Sequence, residues 1–451
     1  MREDFLTFVP VTDVTGMGLA NTLLNTLDKL GIDLKYLRGK GFDGAATMSG
    51  CFNGVQSHVT KKYSLAHYIH CTSHCLNLAI SDTCNIQSIR NCTGAIQKVC
   101  VFFKYPKRQN VMLDSIKRVC PESQITKLKL LCPTRWVDRH DSIITFMELF
   151  DAVIDGLSII STWPDRESSS GSYQLLCAIK QPEFILATHL LAKVFSISLP
   201  LSKLLQMQNI DLIEAMSLAD NVSDVLKNIR NNADEDFKKL FLKVKEKCMS
   251  LDIEITLPRL TNIQKNRFNV KTTCPNEYYK ISLFIPFLDN FISQLHDRFI
   301  AHKSLITNFC CLLPNNNLPN REENIKSLAE KYSEDLQCSS DSVIGEVLTW
   351  TQKFVGTEKP KNALEALIAC NPLIFPSTYK LLQIIATLSV TTANSERSFS
   401  TLKRLKTYLR NTIGENRLNS LALLNIHREI ILTTDEVLND FAKDSRKIRL
   451  L

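Results

Sequence analysis

An α/β layer joined to a long all-α block is the fold class this sequence predicts, and three observations carry that reading. Strand-like and helix-like segments alternate from the start to about residue 84. From about residue 140 to residue 386, apolar residues recur at helical spacing and few stretches read as strands. The last hundred or so residues return to short helices with strong punctuation, opened by Asn371-Pro-Leu-Ile-Phe-Pro376.

Phe5-Leu-Thr-Phe-Val9 reads as a strand, because aromatic and β-branched residues favour a pleated backbone. Leu19, Leu23, Leu27 and Leu30 give Met17–Leu30 a helical stripe, with Gly31 as its stop. Tyr36–Phe42 is a second strand, Cys51–Lys62 a helix, Ala66–His70 an extended segment and His74–Cys84 another helix. Ile143, Ile144, Met147, Phe150, Ile154 and Leu157 trace one helical face. The polar runs Asp165–Ser172 and Pro314–Glu323 read as loops. Near the end, helices are expected over Tyr379–Leu388, Glu396–Leu409 and Asn416–Leu432, with a polar break at Thr391–Ser395. The last helix is apolar nearly all round (LALLNI), so burial from more than one direction is expected.

Bulk properties narrow the function classes. A chain of 451 residues, 44% apolar and 22% charged, can build two or three cores. MREDFLTF lacks the apolar centre of a secretory signal, and Lys193 and Lys203 interrupt the apolar stretch around Leu190–Leu205, so no membrane partner is expected. Fifteen cysteines without framework spacing suggest reduced thiols. The net charge of +8 permits nucleic-acid binding without requiring it.

Four places could carry chemistry. Asp43 ends a predicted strand and is followed by Gly-Ala-Ala, so a cation and a phosphate could approach it; an Asp before Gly is also an ordinary turn. Glu396 opens a predicted helix whose Lys403, Lys406 and Arg410 share its face, while Phe399, Leu402, Leu405 and Leu409 are expected on the buried side. That pattern suits a phosphate backbone near a metal, or a solvated basic face. Cys71 and His74 are spaced to share a helical face and could form half of a zinc site or a structural pair. Arg135-Trp136 offers a phosphate clamp beside a stacking surface, or a buried Trp with an ion-paired neighbour.

The order of these blocks is more specific than any one of them. GFDGAATMSG at 41–50, HCTSHCLNLAI at 70–80, CPTRW at 132–136, ANSERSFSTLKRLKTYLR at 393–410 and RLNSLALLNIHRE at 417–429 together resemble the hAT superfamily of DNA transposases, in the group related to zinc-finger MYM-type proteins. The resemblance implies an RNase H-like domain interrupted by a large helical insertion. It implies residues 1–140 as the α/β part, 141–340 as the insertion, 341–435 as the C-terminal dimerisation region and 436–451 as a tail. By the same resemblance Asp43 and Glu396 match the second and third catalytic and metal-holding acids, Cys71 and His74 a Cys-x-x-His structural element, and Arg135 and Trp136 a DNA-handling element. Arg397, Lys403, Lys406 and Arg410 are further candidate DNA contacts. The strand bearing the family's first catalytic Asp would lie upstream of this chain, leaving the RNase H-like fold incomplete.

The leading expectation is therefore a transposase-derived protein that does not cut DNA, that self-associates through its C-terminal helices, and that has DNA as a candidate partner. The alternative is an active cut-and-paste transposase with a two-metal site for Mg²⁺ or Mn²⁺, if an upstream segment exists; without an intact site no cofactor is expected. Nuclear residence follows from the family, with the cytoplasm as the other location. A third expectation is a DNA-binding regulator using the Lys403–Arg410 face.

Overall fold

The computed structural model describes residues 3–131, 136–207, 210–257, 272, 274–314, 320–407 and 412–443, with the side chains of 136–139 and 300–305 outside the description. It is mostly helical. In chain order the first elements are α1 (Gly16–Lys29), β1 (Gly39–Phe42), α2 (Ala46–Ser49), α3 (Val55–Lys62), β2 (His67–His70), α4 (Thr72–Thr83), α5 (Gln87–Phe102) and α6 (Pro106–Val119). Then come α7 (Trp136–Glu148), α8 (Phe150–Ser161), α9 (Arg166–Ile179), α10 (Pro182–Leu204), α11 (Leu212–Asn231), α12 (Ala233–Ser250) and α13 (Pro275–Tyr279). α14 (Ile285–Cys310), α15 (Arg321–Lys331), α16 (Ser333–Leu336), α17 (Ser340–Gln352), α18 (Ala363–Ala369), α19 (Pro376–Thr387), α20 (Ala393–Leu405), α21 (Glu415–Ile426) and α22 (Thr434–Ala442) follow.

The chain divides into two compact units. Unit 2 comprises residues 37–45 and 64–391. Its two strands run parallel, Gly39 opposite His67 and Phe42 opposite His70. Around them the helices bury a continuous apolar core whose largest members include Phe146, Phe195, Phe237, Phe287, Phe309 and Trp350. Several polar groups inside this core have partners close by, whereas the buried hydroxyls of Ser115 and Thr378 have no hydrogen bond among the described residues. The Trp350 indole donates to the Leu312 carbonyl at 3.0 Å. Arg38 grips Asp335 with two hydrogen bonds of 2.7 and 2.6 Å, tying the start of β1 to α16. His67 Nε2 lies 2.8 Å from the Tyr332 hydroxyl.

Two expectations for this unit are revised. Asp165–Ser172 is not a loop: Asp165 caps α9, accepting from the Ser168 amide at 3.0 Å, and the helix begins at Arg166. Two of its serines face α8 rather than water, Ser172 Oγ donating to Leu157 O at 2.6 Å and Ser169 Oγ to Ser161 O at 2.6 Å. Small hydroxyl side chains let two helices approach closely while spending their polarity on a neighbour's carbonyl. The expected continuous helical face from Ile143 to Leu157 is split at Leu149 into α7 and α8, though its apolar residues remain in or against one core. Of the Pro314–Glu323 run, residues 315–319 lie outside the described residues, and Arg321–Glu323 already belong to α15. The 23-residue α10 proves long and apolar enough by composition to cross a membrane, despite Lys193 and Lys203; 67% of its apolar window is buried inside the protein, as in a core helix.

Unit 1 comprises residues 1–36, 46–63 and 392–451. α1 packs on α3 with its first residue so close that a Cβ on Gly16 would lie 1.9 Å from the Asn53 carbonyl oxygen. α20 packs on α21. The expected strand Phe5–Val9 forms no ladder among the described residues. Asn419 takes the place of a strand partner: its Oδ1 accepts from the Phe8 amide at 2.8 Å and its Nδ2 donates to the Phe8 carbonyl at 3.1 Å. His427 Nε2 sits 2.8 Å from the Phe5 carbonyl.

Candidate functional site

Asp43 leaves the end of β1 in unit 2. Its Oδ1 accepts from the Ala45 amide at 3.2 Å, an Asx turn, and its carbonyl accepts from the Tyr68 hydroxyl at 3.4 Å. The turn is seated on two histidines, since a Cβ on Gly44 would lie 2.8 Å from His70 Nε2 and 3.1 Å from His74 Cδ2. The rings of His70 and His74 have centroids 5.8 Å apart. Cys71, buried, is the N-cap of α4; its amide donates to the Phe42 carbonyl at 2.9 Å, which hangs the helix directly on the end of β1. Cys71, His74 and the Asp43 turn thus share one corner of unit 2, while the hydroxyl and amide of Thr72 both donate to the Val390 carbonyl and close it.

Glu396 belongs to unit 1, exposed in the first turn of α20. Arg397 and Lys403 are exposed on the same helix. The helix stops at Leu405 with Lys406 as its cap, so the expected basic row is shorter than a helix to Leu409 would make it. Arg410 and Arg135 lie outside the described residues, as does the side chain of Trp136 at the start of α7. The buried positions of α20 are Ser398 and Thr401, not the apolar residues. Phe399 is 61% exposed, meeting only the edge of unit 1 at Phe8, ring centroids 5.7 Å apart. Within either unit, the described residues contain no group of three or more His, Cys, Asp and Glu gathered where one cation could sit.

The burial expected for the last apolar helix, Asn416–Leu432, is revised. α21 ends at Ile426, six residues before the expected Leu432, and buries Ala422 alone. Leu424 is 61% and Ile431 87% exposed, and Ile430, Leu432, Val437, Leu438 and Phe441 are exposed as well. The last three ride on α22, a helix the sequence reading did not assign. Its signal was present as Thr433-x-x-Glu436: the Thr433 hydroxyl accepts from the Glu436 amide while the Glu436 carboxylate accepts from the Thr433 amide at 2.8 Å. An apolar surface of this kind, spread over α20, α21, residues 427–433 and α22, is the mark of an association region.

Residues 346–430 match the hAT family C-terminal dimerisation region, and residues 1–54 match the ZMYM1/FAM200 RNase-like domain. This is a hAT-derived chain. Its hAT dimerisation region takes in α20 and α21 with Phe399, Leu424 and Ile430, and the exposed apolar run continues past it from Ile431 to Phe441. The chain is similar to the mouse protein named "52 kDa repressor of the inhibitor of the protein kinase", 27% identical over 98% of this chain and 60% of the relative. The human protein of the same name is 26% identical over 98% of this chain and 60% of its own length. The hAT-derived chain therefore spans 60% of the length of these curated relatives.

Proposed function

We propose that this hAT-derived chain works by self-association through its C-terminal region, as a DNA-directed nuclear regulator rather than as a nuclease. The observation that carries the reading is the exposed apolar surface of unit 1, which begins within the region matched to hAT dimerisation and continues past its end. Leaving Leu424, Ile431 and their neighbours in water costs about 25 cal/mol for each Å² of apolar area, and a second copy of the same surface removes it. The printed name of the mouse and human relatives, a repressor, supports a regulatory role. On this reading residues 1–140 descend from an RNase H-like domain, 141–340 from its helical insertion, 341–435 form the dimerisation region and 436–451 a tail. Arg397 and Lys403 of α20 and Lys406 at its cap are then DNA contacts, and Arg410, Arg135 and Trp136, whose side chains lie outside the described residues, are proposed as further ones.

Light scattering of the full chain tests the reading. A mass of twice 51.2 kDa or more is expected at micromolar concentration, and the Leu424→Asp/Ile431→Asp variant should run as a monomer with unchanged helicity. A monomeric parent chain removes the proposal.

The RNase-like match at residues 1–54, which includes Asp43, favours a second reading as an active transposase. A bound pair of Mg²⁺ or Mn²⁺ ions would activate the attacking oxygen and stabilise the leaving one. Asp43 and Glu396 are the acids proposed to hold them. The fit is poor: neither unit gathers three donors among its described residues, and an Asx turn engages one Asp43 oxygen. No catalytic step is assigned to them. Mg²⁺-dependent strand cleavage by the purified chain, lost in Asp43→Asn, is the outcome that would favour this second reading.

A further inference from the structure

The positive charge of the chain is concentrated in one short segment. Residues 87–131 contain nine Lys and Arg against two Asp and Glu, so they hold +7 of the chain's +8, and the other residues together are close to neutral. In unit 2 this segment is α5, α6 and an extended run that returns along them. Leu131 N donates to the Gln97 side chain at 2.9 Å, the Cys100 thiol to the Lys129 carbonyl at 3.3 Å, and Ser142 Oγ to the Leu130 carbonyl at 2.9 Å. These bonds hold the run off the helices by the width of a cleft of about 450 Å³.

The cleft has a distinct chemistry. Apolar side chains, Phe103, Met112 and Leu128 among them, form its floor, and Lys104, Lys127 and Lys129 stand on its rim. Among the described residues no carboxylate lines it. Lys129 shares its charge with Asp141 at 3.1 Å, whereas Lys104 and Lys127 are exposed with no ion pair among the described residues. Just beyond Lys104, Tyr105 is 61% exposed with the Arg108 guanidinium 5.2 Å from its ring centroid. Like charges set close around a hollow repel one another, and the arrangement gains most from a ligand with regularly repeated negative charge. An apolar floor within such a rim selects a polyanion that also carries a flat apolar group at each repeat.

We infer that the cleft between α5, α6 and residues 124–131 binds single-stranded nucleic acid, phosphates on Lys104, Lys127 and Lys129 and an unpaired base on the apolar floor. The inference rests on the DNA-directed reading above and moves its main contact from α20 to this cleft. A paired base cannot turn its face to the floor, so duplex should bind more weakly than a single strand of the same length.

Fluorescence anisotropy of the full chain with a labelled 20-nucleotide single strand and the matching duplex tests it. Lys104→Glu/Lys127→Glu should weaken single-strand binding roughly tenfold and lower the salt slope by about 1.4, as for two lost phosphate contacts. The control Lys238→Glu/Lys239→Glu makes the same charge change on exposed α12 residues of the same unit and should leave binding near the parent value. Equal loss in both variants, an unaffected cleft variant, tighter duplex binding, or displacement by polyglutamate as readily as by unlabelled strand would each overturn the cleft assignment. If neither DNA form binds the parent chain, the DNA-directed reading falls with it. If binding survives in the cleft variant and is lost in Lys403→Glu/Lys406→Glu, that reading stands and the cleft does not.

Discussion

His67 shows what one buried side chain contributes here. Burial first, and then the charges of Lys331 and Lys40, hold its imidazole down to about 4, so the neutral ring is the native form, in contact with the Tyr332 hydroxyl. In the unfolded chain the same ring titrates near 6.5. The folded state therefore binds fewer protons across that window: the stability His67 contributes is full above about pH 6.5 and is lost as pH falls towards 4. Between pH 7 and pH 5 the loss should be about 1–2 kcal/mol, discounted for the partial exposure of the ring. His67→Gln can still reach Tyr332, so its urea midpoint should change less between those two pH values than the parent's; identical pH dependence in both would rule His67 out as the source. The sequence could not disclose this, because the histidine and its tyrosine are 265 positions apart. Asp43 and the pair Cys71 and His74 stand out separately in the sequence, but the seating of the Asp43 turn on His70 and His74 does not, because nothing local pairs residue 44 with residues 70 and 74.

Among the elements, what was readable depended on whether the cue was local. α1, α3, α4 and α19 follow their apolar stripes to within a few residues, and β1 and β2 follow their extended runs. Phe5–Val9 has the composition of a strand, but a strand is defined by its partner, and here an asparagine side chain supplies both bonds to Phe8. Replacing it should release this segment: Asn419→Ala is expected to speed hydrogen exchange at the Phe8 amide at least tenfold, equivalent to about 1.4 kcal/mol of opening free energy, with the amides of α4 unchanged. A Phe8 amide that exchanges at the parent rate in the variant would show that other contacts hold the segment. The serine run of α9 misled for the opposite reason. Ser-rich composition signals a loop when water receives the hydroxyls, and nothing local reveals that a neighbouring helix receives them instead.

For the whole molecule, the mostly helical character and the hAT ancestry were both visible in the sequence, whereas the surface of unit 1 was not. An all-round apolar helix reads as buried, yet Leu424 and Ile431 stay uncovered among the described residues. Self-association through that surface has a thermodynamic signature. Partner binding stabilises the folded state by mass action, so the parent melting temperature should rise by a few degrees over a hundredfold increase in protein concentration. Leu424→Asp/Ile431→Asp should melt at one temperature throughout, and a concentration-independent parent would count against pairing. The charge of the molecule was likewise readable from composition only as a total; its confinement to residues 87–131 appears when the sequence is divided at the helices that carry it.

The make-up of unit 1 from early and late stretches of the chain has a consequence for biosynthesis. Phe8 must wait for Asn419, 411 positions later, which at about 5–20 residues per second is roughly 20–80 s of translation. Over that interval unit 2 can emerge and collapse, while the opening segment, with Phe5 and Phe8 uncovered, is open to capture by holding chaperones. A ribosome that stalls anywhere before residue 419 leaves that segment without its mate, and such an intermediate is a ready substrate for quality-control proteolysis.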